Sequence, residues 1–172
     1  MHPSEHLKFC PFCGSSDFSF DGGRKFQCES CGRTQYINSA AAVAVIIKNK
    51  KGEILLTRRA LNPAKGKLDL PGGFVDPLET VEQTVKREIK EELNIDVDKL
   101  SYAGSFPNEY VFDGMITYTA DLAFVATVKN LSKLSPADDV AAVEFYAPDQ
   151  IPMEEVAFTS IKNILAGITN SI

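Results

Sequence analysis

Four cysteines near the N-terminus restrict this chain more than any other feature. Cys10-Pro11-Phe12-Cys13 is followed, after fourteen residues, by Cys28-Glu29-Ser30-Cys31. Gly14 and Gly32 come directly after the second cysteine of each pair, where a tight turn is needed. Two such knuckles can present four thiolates in the tetrahedron that zinc accepts. All four ligands are cysteine, so no position stays open for water and the metal is expected to be structural. A dithiol redox centre accounts for one pair but not for two at this spacing. Phe18, Phe20 and Phe26 lie near the alternation of a strand, so the segment between the knuckles is expected to make the two strands of a ribbon. Residues 1–37 are read as a zinc ribbon, Asn38-Ser39 as the joint, and 38–172 as a second domain without cysteine.

The redox reading depends on compartment. The start, Met1 to His6, has no apolar signal region, and the longest apolar run, Ala40 to Ile47, is too short for a membrane span. A cytoplasmic location is expected, where thiols stay reduced and clustered cysteines bind metal. No membrane partner is expected. The net charge of −5 gives no general attraction to nucleic acid. Within the ribbon, Arg24, Lys25 and Arg33 stand beside Asp17, Asp21 and Glu29. Nucleic acid is therefore not expected as a partner. An acidic chain acting on polyphosphates would need cations, or local Arg and Lys, to manage the repulsion.

From Ala40 onward strands and helices alternate, which places the chain in the α/β or α+β class. Ala40–Lys48 reads as a buried strand, Asn49-Lys50-Lys51-Gly52 as a turn and Glu53–Arg58 as its hairpin partner. A loop over 59–67 leads to Leu68-Asp69-Leu70 and the tight Pro71-Gly72-Gly73. Thr80 to Leu93 reads as a helix, opened by a Thr80/Gln83 capping box and closed by Asn94 in the left-handed conformation. Further strands are expected near 96–105, 116–128 and 140–147, and a last amphipathic helix over about Val156 to Ala166.

The helix carries an anomaly. At about 100° per residue, Val81, Val85 and Ile89 share one face, and Glu88 and Glu92 fall within or beside it. Glu91 sits on the flank. Carboxylates along a buried stripe are costly unless they are paired or hold a cation. A solvated face of Glu–Lys pairs would leave the acids away from the apolar side, while here Lys86 and Lys90 lie elsewhere. Three acids within one turn of one another suit a hard divalent cation such as Mg²⁺.

Residues 73–95 resemble the Nudix box, Gly-x(5)-Glu-x(7)-Arg-Glu-U-x-Glu-Glu-x-Gly-U, with U a bulky aliphatic. Gly73, Glu79, Arg87, Glu88, Ile89, Glu91, Glu92 and Ile95 match. Asn94 replaces the last glycine, and asparagine is the next-best residue for a left-handed stop. The resemblance extends over about residues 40–166. It implies an α/β/α sandwich around a mixed sheet, here with a ribbon like that of Nudix enzymes related to NADH, ADP-ribose and FAD pyrophosphatases.

The resemblance also implies roles. Nudix enzymes hydrolyse a nucleoside diphosphate linked to another group, with Mg²⁺ or Mn²⁺ as cofactor. Glu88 and Glu92 would be metal ligands, and Glu91 a further ligand or a group that orients water. The carbonyl of Gly72 would reach a metal. Arg87 with Glu79 would brace the loop against the helix. Asp139 falls roughly where related members place another metal-binding acid; a turn pair Asp138-Asp139 ahead of a strand is the plain alternative. Arg58 and Arg59 end a strand before the metal loop and are candidates for phosphate. Phe106, Tyr110 and Phe112 are candidates for stacking on a base, although single aromatics more often pack in a core. The substrates implied are ADP-ribose, FAD, NADH and diadenosine polyphosphates, in that order. The Ser-Gln-Pro-Trp-Pro-Phe-Pro-type motif of NADH pyrophosphatases is absent, since the chain has no Trp. An RNA-cap-directed enzyme and a non-catalytic Nudix-fold sensor are the alternatives. Related enzymes are often dimers, so a homodimer is a further expectation.

Overall fold

A computed structural model of the chain describes residues 1–169. Two compact units are present: Met1–Ser39 together with Glu109–Tyr118, and Ala40–Asn108 together with Thr119 onward. Among the described residues no helix is long and apolar enough to cross a membrane.

The first unit opens with a short helix, α1 (Pro3–His6), that the sequence pattern did not suggest. It holds a three-stranded antiparallel sheet of β1 (Phe18–Phe20), β2 (Lys25–Cys28) and β3 (Thr34–Tyr36). The third strand exceeds the expected two. Gln27 pairs with Thr34 across the second knuckle, so the turn that presents Cys28 and Cys31 also returns the chain into the sheet. Phe26 is fully buried, between Phe18 at 5.0 Å and Phe20 at 4.9 Å. This small aromatic stack is the apolar centre of the unit.

The second unit contains β4 (Ala40–Ile47), β5 (Ile54–Arg59), β6 (Leu68–Asp69), α2 (Val81–Leu93), β7 (Val97–Phe112), β8 (Met115–Val128), β9 (Val140–Tyr146) and α3 (Thr159–Thr169). The outer ends of β7 and β8 belong to the first unit. One sheet has the order β4-β8-β7 and the other β6-β5-β9. The β4–β8 pair is parallel and the β5 pairs are antiparallel, a mixed arrangement.

Alternation along β4 explains the layers. Val43, Val45 and Ile47 pack with Val85, Ile89 and Leu93 of α2. Ala44 and Ile46 pack with Ile161, Ile164 and Leu165 of α3. A strand that is apolar on both faces needs a helix on each side, and this is the α/β/α sandwich. Full burial of each large aliphatic is worth about 1.5–3 kcal/mol.

Three sequence expectations need correction. β4 and β5 do not form a paired hairpin: the turn is present, but only the Lys48–Ile54 bridge joins the strands, which then enter different sheets. Both strands are buried on two faces, and each satisfies its backbone on another neighbour. The strand expected near 96–105 continues to Phe112, because its partner β8 is also long, at 14 residues against 16. The last helix begins at Thr159, three residues later than expected, since Val156 is used in a parallel bridge to Leu68.

Candidate active site

The site is built on α2. Thr80 caps it through a complete capping box with Gln83, and Asn94 closes it at φ 54°. The asparagine therefore does what the missing glycine would do. Its backbone N–H reaches Lys90 O at 3.0 Å. Along the helix Val85, Ile89 and Leu93 are fully buried, and they carry Glu88 and Glu92 inward with them. Glu88 is 9% exposed and Glu92 5%. Lys86 and Lys90 are exposed, so the acids do share the apolar side.

The glycine turn meets these acids directly. Gly72 N–H donates to Glu92 Oε2 at 3.0 Å. Val43 N–H donates to Gly73 O at 2.8 Å and Val45 N–H to Pro71 O at 2.8 Å, which ties the turn to β4. Gly72 has φ +142°, and a side chain there would stand 2.1 Å from Val43 O. At Gly73 a Cβ would stand 2.4 Å from Glu88 Oε1. Both glycines are thus needed for close approach, one toward the β4 backbone and one toward a carboxylate.

Arg87 holds the outer side of the cluster. Its guanidinium donates to both carboxylate oxygens of Glu79, at 3.1 and 2.9 Å, and to Phe74 O at 3.1 Å. It also reaches Glu88 at 2.7 Å and Glu91 at 3.1 Å. The Glu79–Arg87 pair therefore staples the loop over 74–79 onto the helix, as expected. Thr84, which the sequence reading passed over, donates its hydroxyl to Glu79 at 2.8 Å from a fully buried position. Its signal was weak: a threonine four residues after the cap reads as an ordinary helix residue.

Electrostatics separate the four acids. Hydrogen bonds from Arg87 hold the Glu79 carboxyl down at about 2. Burial raises Glu88, and Arg87 only partly offsets this. Burial first, and then the charge of Asp139, pushes Glu92 up to about 10, against the pull of the Gly72 N–H. Asp139 lies within hydrogen-bonding reach of Glu92 and acts electrostatically on Glu88. Its position is fixed by Ala60 N–H, which donates to Asp139 O at 2.7 Å, and by Ala137 N–H on Glu92 O at 2.9 Å. Glu92 thus faces Asp139, with Glu88 acting electrostatically on both, and the protein supplies too little positive charge to balance them. Such a set of oxygen donors fits a hard divalent cation. Glu91 is turned outward, half exposed, toward Arg87.

The remaining candidates are dispersed. Arg58 pairs with Glu144 at 2.6 Å and Glu155 at 3.1 Å. Arg59 pairs with the buried Asp69 at 2.9 Å and lies over the Phe158 ring. Both guanidinium groups are thus already paired with acids of the chain, Arg58 with two partly exposed ones and Arg59 with a buried one. Phe106 packs against the core layer that contains α3, on the opposite side of the sheet from α2. Tyr110 and Phe112 belong to the first unit. The Arg59–Asp69 pair itself was not foreseen, because nothing in a single sequence links an arginine to an acid ten residues away.

The cysteine site is tighter. The four Sγ atoms lie within 4.8 Å of one another, with Cys10–Cys31 at 3.8 Å and Cys13–Cys28 at 3.7 Å. A tetrahedron of sulfurs at the zinc–thiolate distance has edges of about 3.8 Å. Gly14 N–H donates to Cys10 O and Gly32 N–H to Cys28 O, both at 2.9 Å, with both glycines at positive φ. The two knuckles are therefore equivalent.

The NUDIX domain profile matches residues 38–166. The chain belongs to the Nudix family. The NAD-capped RNA hydrolase NudC of Vibrio atlanticus is 31% identical over 169 residues, covering 97% of this chain and 61% of that protein. The protein of the same name from Pseudomonas aeruginosa is 28% identical, covering 87% of this chain and 51% of its own length. The chain thus spans about half to three fifths of these curated relatives. Among solved structures, a NUDIX hydrolase from Nitrosomonas europaea aligns with a TM-score of 0.66 at 26% identity, over 92% of this chain and 88% of that one. A MutT NUDIX hydrolase from Burkholderia pseudomallei gives a TM-score of 0.66 at 25% identity, over 76% and 98%. The name of the NudC relatives includes an RNA, so the expectation that nucleic acid is not a partner finds no support among them.

Proposed function

We propose that this Nudix protein hydrolyses the diphosphate bridge of an NAD-type dinucleotide, free or at the 5′ end of an RNA, and releases a mononucleotide. The observation that carries this reading is the convergence of Glu88, Glu92 and Asp139 beside the Gly72-Gly73 turn. Glu88 and Glu92 would hold Mg²⁺ or Mn²⁺, with Asp139 as a further ligand and the Gly72 carbonyl at the edge of the site. Held by these residues, a divalent cation would supply charge to neutralise the diphosphate and would lower the pKa of the attacking water. Glu92 is kept in place by the Gly72 N–H and Glu88 by Arg87, so neither has to search for its geometry. Glu88 or the downstream acid Asp139 would take the proton from water, and Glu91 would help to orient that water. Arg87 and Glu79 act by holding the loop.

The relatives' name favours NAD over ADP-ribose and FAD, which reverses the order expected from sequence. It also favours the RNA-linked form as a second reading. We propose that the cysteine quartet holds one structural Zn²⁺, given its sulfur spacing. The test is incubation of the chain with NAD, NADH, ADP-ribose, FAD and a 5′-NAD oligoribonucleotide, with Mg²⁺ or Mn²⁺ and chromatography of the products. A mononucleotide, or a 5′-monophosphate RNA, is expected from an NAD-containing compound. Turnover of none of these compounds would sink the reading. Metal analysis of purified protein is expected to find one zinc per chain.

A further inference from the structure

A cavity of about 660 Å³ lies at the end of the β4–β8 pair, lined by the 48–51 turn and by residues 125–132. It contains four lysines, Lys48, Lys50, Lys51 and Lys129, and no acid. This is notable in a chain whose net charge is −5. All four lysines are exposed. Among the described residues none of them enters an ion pair, whereas Arg58, Arg59, Arg87 and Lys90 all do. Their backbones are braced. Asn49 Oδ1 accepts from Lys51 N–H at 2.9 Å and from Glu53 N–H at 3.1 Å, and Asn130 Oδ1 accepts from Ser132 N–H at 2.8 Å.

The position of the cavity is as informative as its charge. β4 and β8 run parallel, and their pairing ends at Ile47 and Ala126, two residues before the end of β8. The cleft therefore lies beyond the carboxyl ends of a parallel pair, a common ligand position in open α/β sheets. The glycine turn meets β4 nearer its start, at Val43. Five residues of strand separate Val43 from Lys48, or ~17 Å.

We infer that this lysine-lined cleft binds the sugar–phosphate backbone of an RNA whose 5′ end occupies the glutamate site. The inference rests on the RNA-linked form of the proposed substrate. Four separate ammonium groups suit a row of phosphates better than a single one, which a bidentate arginine fork would grip. No aromatic side chain lines the cleft, so base stacking contributes nothing and binding is independent of sequence and dependent on salt. A free dinucleotide carries no phosphate beyond the diphosphate held at the glutamate site, whereas an RNA continues in further phosphodiesters, so the cleft separates RNA-linked from free substrate.

The test measures anisotropy of a labelled 5′-monophosphate oligoribonucleotide with the full chain across a salt series, alongside turnover of free NAD. In K50Q/K51Q/K129Q the affinity near 0.1 M salt is expected to fall about tenfold or more, and the log–log salt slope to shrink by about 2, at ~0.7 per phosphate contact. Turnover of free NAD should be unchanged. K50R/K51R/K129R, which keeps the charge, should bind as wild type. Equal affinity and slope in wild type and the glutamine variant would overturn the inference, as would a parallel loss of RNA binding and NAD turnover. Binding is read without cleavage. If wild type binds RNA through these lysines yet cleaves no dinucleotide, the hydrolase reading fails and the cleft stands.

Discussion

The cysteine quartet and the glutamate cluster are the two sets of side chains proposed to hold cations, and they are assembled in opposite ways. Each cysteine pair sits on a four-residue knuckle closed by its own glycine, and the four sulfurs already lie within 4.8 Å of one another. The carboxylates come from one helix and from a turn more than forty residues later, and they meet a glycine turn from a third place. The thiol set is complete in itself and leaves nothing for a substrate to occupy. The carboxylate set is like-charged and only partly neutralised by Arg87, so on the proposed reading it would share a cation with a diphosphate. A closed donor set suits structure and an open one suits turnover.

The sharpest way to break this comparison is at the ribbon. Cys28→Ser should abolish zinc retention and unfold the first unit, given that a structural zinc site is worth ~10 kcal/mol or more. A protease digest should then cut within residues 1–39. If the ribbon keeps its protection without zinc, the quartet is not what holds it. Next in size is Glu92→Gln, which should lower turnover by about 10²–10³-fold, the range for loss of one preorganised group. Because burial already favours a neutral Glu92, its melting temperature should equal or exceed that of wild type. A folded E92Q protein with wild-type turnover would mean that the glutamate cluster is not the open site.

The two glycines sharpen the contrast within the acidic site. Gly72→Ala places a Cβ against the fixed backbone of β4, at a positive φ, and should destabilise the protein by about 2–3 kcal/mol in urea titration. Gly73→Ala meets only the movable end of Glu88. It should leave the urea midpoint nearly unchanged while turnover drops about tenfold. Equal effects of the two on stability would show that the Glu88 end is as rigid as backbone. The smallest expected effect is that of Asn94→Gly, which restores the residue of the Nudix box. Asn94 is already left-handed, so stability should change by only a few tenths of a kcal/mol. A gain above ~1 kcal/mol would mean the asparagine strains the helix end.

How much was legible in advance follows from range. The capping of α2, the left-handed Asn94, the knuckles and the burial of Glu88 and Glu92 depend on residues within about one or two helical turns of each other, and all were expected. The extent of β7, the separation of β4 from β5 and the third ribbon strand depend on which distant strand supplies hydrogen bonds, and these were missed. Arg58 and Arg59 show the same limit at the level of side chains. As residues of a strand end they looked available to phosphate, but Glu144, Glu155 and Asp69 arrive from β9, the segment before α3 and β6 to claim them.

The sequence by itself determined the donor types, their spacing along the chain and the helix that turns two glutamates inward, because these are set by local geometry and by the 3.6-residue period. Only the tertiary structure decided between the two readings of Asp139, by bringing it up to Glu92, and decided that the arginines pair with acids of the chain and that four lysines share one cleft. Those outcomes depend on long-range backbone pairing, which brings together charges that no local pattern relates.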